Sequence, residues 1–115
     1  MDLSELTENE VYRLAIPVWK EIIKGSNTMD FDVFSSSFTE ELKNRIGREK
    51  FENQCNEFPL LTSLGAAEPV ACIWRDKGVT VLFRQHSTKL EGEFVGQIRL
   101  NGSTESIEVT DVQVY

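Results

Sequence analysis

The sequence predicts an α+β fold, with N-terminal helices packed on a four-stranded antiparallel meander sheet. Three observations predict it. From about residue 7 to residue 63, apolar side chains recur at three- and four-residue steps, the spacing of helices with one buried face. From about residue 67 to residue 115 the period changes to two, the spacing of strands that bury alternate side chains. Asp76-Lys77-Gly78 and Asn101-Gly102 punctuate this second region as hairpin turns. Helices followed by a run of strands place a helical layer on one face of a sheet.

The first helix opens at Thr7-Glu8-Asn9-Glu10, a capping box in which Thr and Glu satisfy each other's free amides. Val11, Leu14, Ala15, Val18, Trp19, Ile22 and Ile23 form its apolar stripe. Proline inside a helix costs about 3 kcal/mol. Pro17 falls on the polar arc with Arg13, Lys20, Glu21 and Lys24, so its lost bond faces water. One bent helix is expected, with two shorter helices as the alternative, closing at Lys24-Gly25. A helical turn follows over Asp30 to Phe34. Thr39-Glu40-Glu41 caps a short helix that ends at Gly47. A further helix is expected from Arg48 to about Leu61, with Phe51, Cys55 and Phe58 on one face and Pro59 tightening or ending its last turn.

In the strand region Val70, Cys72 and Trp74 alternate with Ala71, Ile73 and Arg75. Val79, Val81 and Phe83 alternate with Thr80, Leu82, Arg84 and His86. Phe94, Gly96, Ile98 and Leu100 alternate with Val95, Gln97 and Arg99. Gly96 marks a sheet bend or a close approach of the first helix. The last strand runs from Ile107 to Tyr115. Its apolar phase shifts between Val109 and Val112, which predicts a bulge near Thr110-Asp111.

A chain of 115 residues is the size of one domain, here residues 1–115. Hydrophobic residues make up 40% and charged residues 27%, the balance of a globular protein. Lys plus Arg number 12 against 19 Asp plus Glu, a formal charge of −7, which repels nucleic acid and anionic lipid. The densest basic group, Lys43, Arg45, Arg48 and Lys50, interleaves with Glu40, Glu41, Glu49 and Glu52 and reads as a solvated helix face. No apolar run approaches the roughly 20 residues of a membrane helix. MDLSELTENE lacks the basic and apolar regions of a signal peptide. Cys55 and Cys72 read as reduced, buried thiols, which fits a cytoplasmic setting. One histidine and two separated cysteines make no typical zinc set, so neither a metal nor another cofactor is expected.

A bent first helix, a short helix, a Thr-capped segment, a further helix and a C-terminal meander follow one another in that order. Together with FSSSFTEELKNRIGREKFENQCNEFPLLTSLG, Phe34 to Gly65, this order resembles the nuclear transport factor 2-like superfamily, the cystatin-like α+β cone. Within it the chain looks like small members of unknown function. The resemblance implies a strongly curved sheet wrapping the first helix, a pocket inside the cone, and homodimerisation through the outer sheet face. The superfamily includes ketosteroid isomerase and scytalone dehydratase. Isomerase chemistry needs a carboxylate base, a tyrosine and a protonated acid. Tyr12 on the first helix could supply the tyrosine, and Asp30 or Asp32 is the nearest base. The central strands supply no acid: Phe83, Arg84, Gln85, Gly96, Gln97 and Ile98 stand there. His86, whose side-chain type titrates near neutrality, has no carboxylate partner identifiable in the sequence. Tyr12, Asp30 and His86 are therefore the catalytic candidates.

Aromatic residues are the stronger signal. Either they fill a core, or some of them line an apolar cavity. In the second case Trp19, Phe34, Phe51, Trp74 and Phe83 form its wall, with Tyr12, Arg84 and Gln97 at the mouth. Such a cavity takes a small apolar ligand, or a carboxylate held by Arg84 and Arg99. Arg84 and Arg99 can equally pair with Glu93 or Glu108 across the sheet. The outer face carries Leu82 and Val95 where a one-sided sheet should be polar, which predicts an isologous dimer. The first expectation is a non-enzymatic, homodimeric ligand- or protein-binding module. The alternative is a small lyase or isomerase of ketosteroid-isomerase type. A third reading is an interaction module with a filled core.

Overall fold

A computed structural model describes all residues, 1–115. Helices α1 (Glu8–Asn27), α2 (Phe31–Phe34), α3 (Glu40–Ile46) and α4 (Arg48–Glu57) precede strands β1 (Leu64–Arg75), β2 (Gly78–Ser87), β3 (Phe94–Ser103) and β4 (Ser106–Val114). Short 3-10 turns occupy Leu3–Glu5 and Pro59–Thr62. The strands form one antiparallel sheet in the order β1-β2-β3-β4. The molecule measures 39 × 30 × 19 Å, and its short axis suits one helix layer on one sheet layer.

The capping box forms: Thr7 Oγ1 accepts from the Glu10 amide at 3.2 Å, and Glu10 Oε1 accepts from the Thr7 amide at 2.9 Å. Helix α1 runs unbroken through Pro17, which is exposed. It also runs past Gly25 to Asn27, which corrects the expected end. Gly25 is not a left-handed terminator. A side chain there would overlap the backbone of Phe34, so the missing Cβ lets α2 dock against α1. Helix α4 ends at Glu57, short of the expected Leu61. Pro59 opens a separate 3-10 turn, where its lack of an amide proton costs nothing. The last hairpin turns at Thr104-Glu105 rather than at Asn101-Gly102, which both pair within the ladder. The bulge at Thr110 is present, between the pairs Arg99–Asp111 and Leu100–Val109.

The N-terminal residues, polar in aggregate, contribute more than the sequence suggests. Leu3 and Leu6 are buried in the main core, and Asp2 bridges to Ser103, the last residue of β3. That core joins Val11, Ala15, Trp19 and Ile22 of α1 to Val79, Val81 and Phe83 of β2, Ile98 and Leu100 of β3, and Val109 of β4. A second cluster, Phe31, Phe51 and Cys55, holds α2 to α4.

The strongly curved cone expected from the superfamily resemblance is not what the strands make: the sheet is not strongly curled. The space where a central pocket would lie is filled by Trp19. Its indole stacks on Phe83 at 5.1 Å with 9° between planes, and it rests on Gly96, where a Cβ would overlap the ring. Its Nε1 donates to Gln85 Oε1 at 2.8 Å. Gln85 is itself fully buried and donates from Nε2 to the carbonyls of Gly65 (3.0 Å) and His86 (2.8 Å). No helix is long and apolar enough to cross a membrane.

Candidate functional site, an apolar cleft between α1, α4 and β4

The two hydrophobic clusters meet without fusing, and an open cleft of about 660 Å³ lies between them. Ile22 and Ser26 of α1 form one wall. Phe51, Gln54 and Lys50 of α4 form another, and Val112, Val114 and Tyr115 close the third side. Phe34 and Ile46, Leu60 and Leu61 of the second 3-10 turn, and Leu64 complete the apolar lining, with exposed Phe58 at the rim. The volume lies within the ~300–1,000 Å³ of small-molecule sites.

The sequence builds this space locally. Pro59 stops α4 and turns the chain back, so Leu60 and Leu61 face α1 rather than continuing the α4 stripe. Ser26 Oγ donates to the Leu61 carbonyl. Asn27 Nδ2 donates to the Leu64 carbonyl and its Oδ1 accepts from the Leu64 amide, both at 2.8 Å. This side chain acts as a strand partner for the start of β1. The last turn of α1 therefore anchors both ends of the segment that walls the cleft. Phe34 stacks on Phe51 at 4.4 Å, which fixes the α2–α4 side.

Of the residues expected around a cavity, Phe34 and Phe51 line this cleft. The others lie elsewhere. Trp19 and Phe83 are buried in the main core, for the stacking reason given above. Trp74 is on the helix-facing side of β1 but past the cover of α1, and is 43% exposed. Tyr12 sits against Cys72 of β1 and donates to Glu8 Oε1 at 3.3 Å. Burial, reinforced by Cys72 and Glu8, pushes its hydroxyl up to about 12. Arg84 is on the outer face and pairs with Glu93 at 3.4 Å, so it holds no carboxylate in a cavity. Gln97 lies on the same outer face and accepts from the Tyr115 hydroxyl at 3.0 Å.

Tyr12, Asp30 and His86 do not converge, and none of them lines the cleft. Asp30 caps α2, accepting from the Val33 amide. It follows the C-terminal end of α1, about 22 Å of helical rise from Tyr12. His86 does have a carboxylate neighbour, Glu68 at 3.0 Å, found diagonally across β1 and β2. That pair is solvent-exposed on the outer face. No group of three or more His, Cys, Asp and Glu residues could hold a metal ion. Cys55 and Cys72 are free thiols. Burial raises both, and hydrogen bonds to Ser26 and Tyr12 offset part of that, so neither is an activated nucleophile.

Most of the lining went unread in the sequence. Leu60, Leu61, Leu64, Val112 and Val114 look like ordinary core positions there. One signal was available: FPLL places three apolar residues around a proline just past a helix whose apolar stripe is already complete. No protein-family model, curated protein or solved structure matches the chain.

Proposed function

We propose that this chain is a binding module that takes a small apolar ligand into the α1–α4–β4 cleft. The carrying observation is the cleft itself, about 660 Å³ with 11 of its 15 lining residues hydrophobic. Small-molecule sites are clefts of this volume, lined mostly by apolar side chains with a few polar groups. The geometry favours binding over catalysis, because no acid–base pair faces the cleft. The test is titration with an environment-sensitive apolar dye, beside a variant, Val114→Trp, that fills the opening. The wild type should bind one dye per chain with enhanced emission, and Val114→Trp should lose at least tenfold in affinity. Equal binding by both proteins would overturn the reading.

The proposal includes a homodimer through the outer sheet face. Ile73, Leu82 and Val95 lie diagonally across β1, β2 and β3 on that face, close enough to act as one apolar stripe. Ile73 is 42% exposed. The His86–Glu68 and Arg84–Glu93 pairs border the stripe, as a polar rim borders an apolar interface centre. The resemblance to the nuclear transport factor 2-like superfamily rests on the order and spacing of the elements and on the segment from Phe34 to Gly65, and neither part of the proposal depends on it.

A further inference from the structure

The cleft has a polar end, and its chemistry is one-sided. Four polar side chains line it: Ser26, Lys50, Gln54 and Gln113. Ser26 is committed to the Leu61 carbonyl, and Gln113 donates to Asp111 at 3.4 Å. The Tyr115 hydroxyl is committed to Gln97. Lys50 and Gln54 are different. Neither side chain has a hydrogen-bond or ion-pair partner in the protein. They stand four residues apart on α4, so they lie one above the other on the same helix face.

Lys50 is also the only charged residue in the lining. Glu49, Glu52 and Glu57 of the same helix do not line the cleft. The neighbouring cations are used elsewhere: Arg48 pairs with Asp32 at 2.8 Å and lies over the Phe31 ring, Arg45 pairs with Asp111, and Lys43 pairs with Glu40. In a chain of formal charge −7, Lys50 places an exposed, unpaired ammonium beside an amide at the mouth of an apolar cleft, while Glu49 and Glu57 lie on the adjoining surface outside it. The ammonium complements a single negative charge attached to an apolar body.

We propose that the ligand is an amphipathic monoanion, its apolar body between Ile22, Phe51, Leu61 and Val112 and its anionic head at Lys50 and Gln54. The ammonium donates to one head oxygen and the Gln54 amide NH₂ to another, both charge-assisted. This assignment rests on the ligand-binding reading of the cleft and adds the class of ligand.

Decanoate and decanol share an apolar chain and differ in the head, so calorimetric titration of both separates the two claims. Decanoate should bind about fivefold more tightly than decanol, the size of a solvent-accessible ion pair. The preference should shrink in 1 M salt. Lys50→Gln should abolish the preference, and Lys50→Glu should invert it. Decyl sulfate beside decanoate distinguishes a general monoanion site from a carboxylate site. Binding of decanol with no gain for decanoate would overturn the anionic head and leave the apolar cleft standing. Failure of both ligands to bind would overturn both. A preference that survives Lys50→Gln would show that the anion sits elsewhere.

Discussion

At the scale of single residues, the molecule is organised around Trp19. Gly96 makes room for the indole, Phe83 stacks beneath it, and Gln85 takes its N–H. Gly96→Ala should therefore be severely destabilising, by about 2–4 kcal/mol, because the added methyl meets a buried ring that cannot move aside. Chemical denaturation of wild type and variant checks this, and a loss below 0.5 kcal/mol would contradict it. The sequence suggested a close approach at Gly96 but gave no means of choosing its partner, because seven apolar residues of α1 share the same stripe. Tyr12 carries a second residue-scale prediction. Its hydroxyl is pushed from an ordinary value of 10 to about 12, so between those values the folded protein holds a proton that the unfolded chain has released. This contribution to stability is complete below pH 10 and is lost as pH rises toward 12. Tyr12→Phe should flatten that part of the alkaline stability profile and remove the highest phenolate step in absorbance at 295 nm. A profile unchanged by the substitution would contradict the assignment.

At the scale of elements, periodicity found the helices and strands, while their ends followed contacts that periodicity does not carry. Helix α1 outruns Gly25 because α2 packs against that glycine, a tertiary fact. Helix α4 stops before Pro59 because the residue preceding a proline is pushed out of helical geometry, and Phe58 is extended. The segment between α4 and β1 is held by Asn27 and Ser26, two small polar residues past the helix end expected at Lys24-Gly25. Asn27→Ala leaves the Leu64 amide and carbonyl without their partner and should cost about 1–3 kcal/mol. It should also loosen the cleft wall. Hydrogen exchange at Leu61 to Leu64 should accelerate far more than at Val79 to Phe83. Uniform acceleration would mean that the side chain supports the whole fold rather than this wall.

At the scale of the whole molecule, the fold class was legible from the order and periods of the elements, and the site was not. The cleft arises where two clusters fail to merge, and its lining comes from α1, α2, α3, α4, both ends of the sheet and a 3-10 turn. No single stretch of sequence carries that arrangement. Trp19 and Phe83, expected in the wall of a central cavity, are packed in the core instead, and the open space lies to one side. Association is decided at this scale as well. Leu82→Glu, placed in the outer stripe, should convert a dimer at tens of micromolar into a monomer in sedimentation equilibrium. A wild-type monomer at that concentration would remove the dimer from the account. The central claim, that the α1–α4–β4 cleft is a ligand site, is tested most directly by two-dimensional amide NMR during titration with decanol, a probe with no charged head. The account predicts saturable shifts concentrated at Ile22, Ser26, Phe51, Leu61, Val112 and Val114, with Thr80 and Arg84 on the outer face unmoved. Shifts that centre on the outer sheet face, or no saturable shift at all, would contradict it.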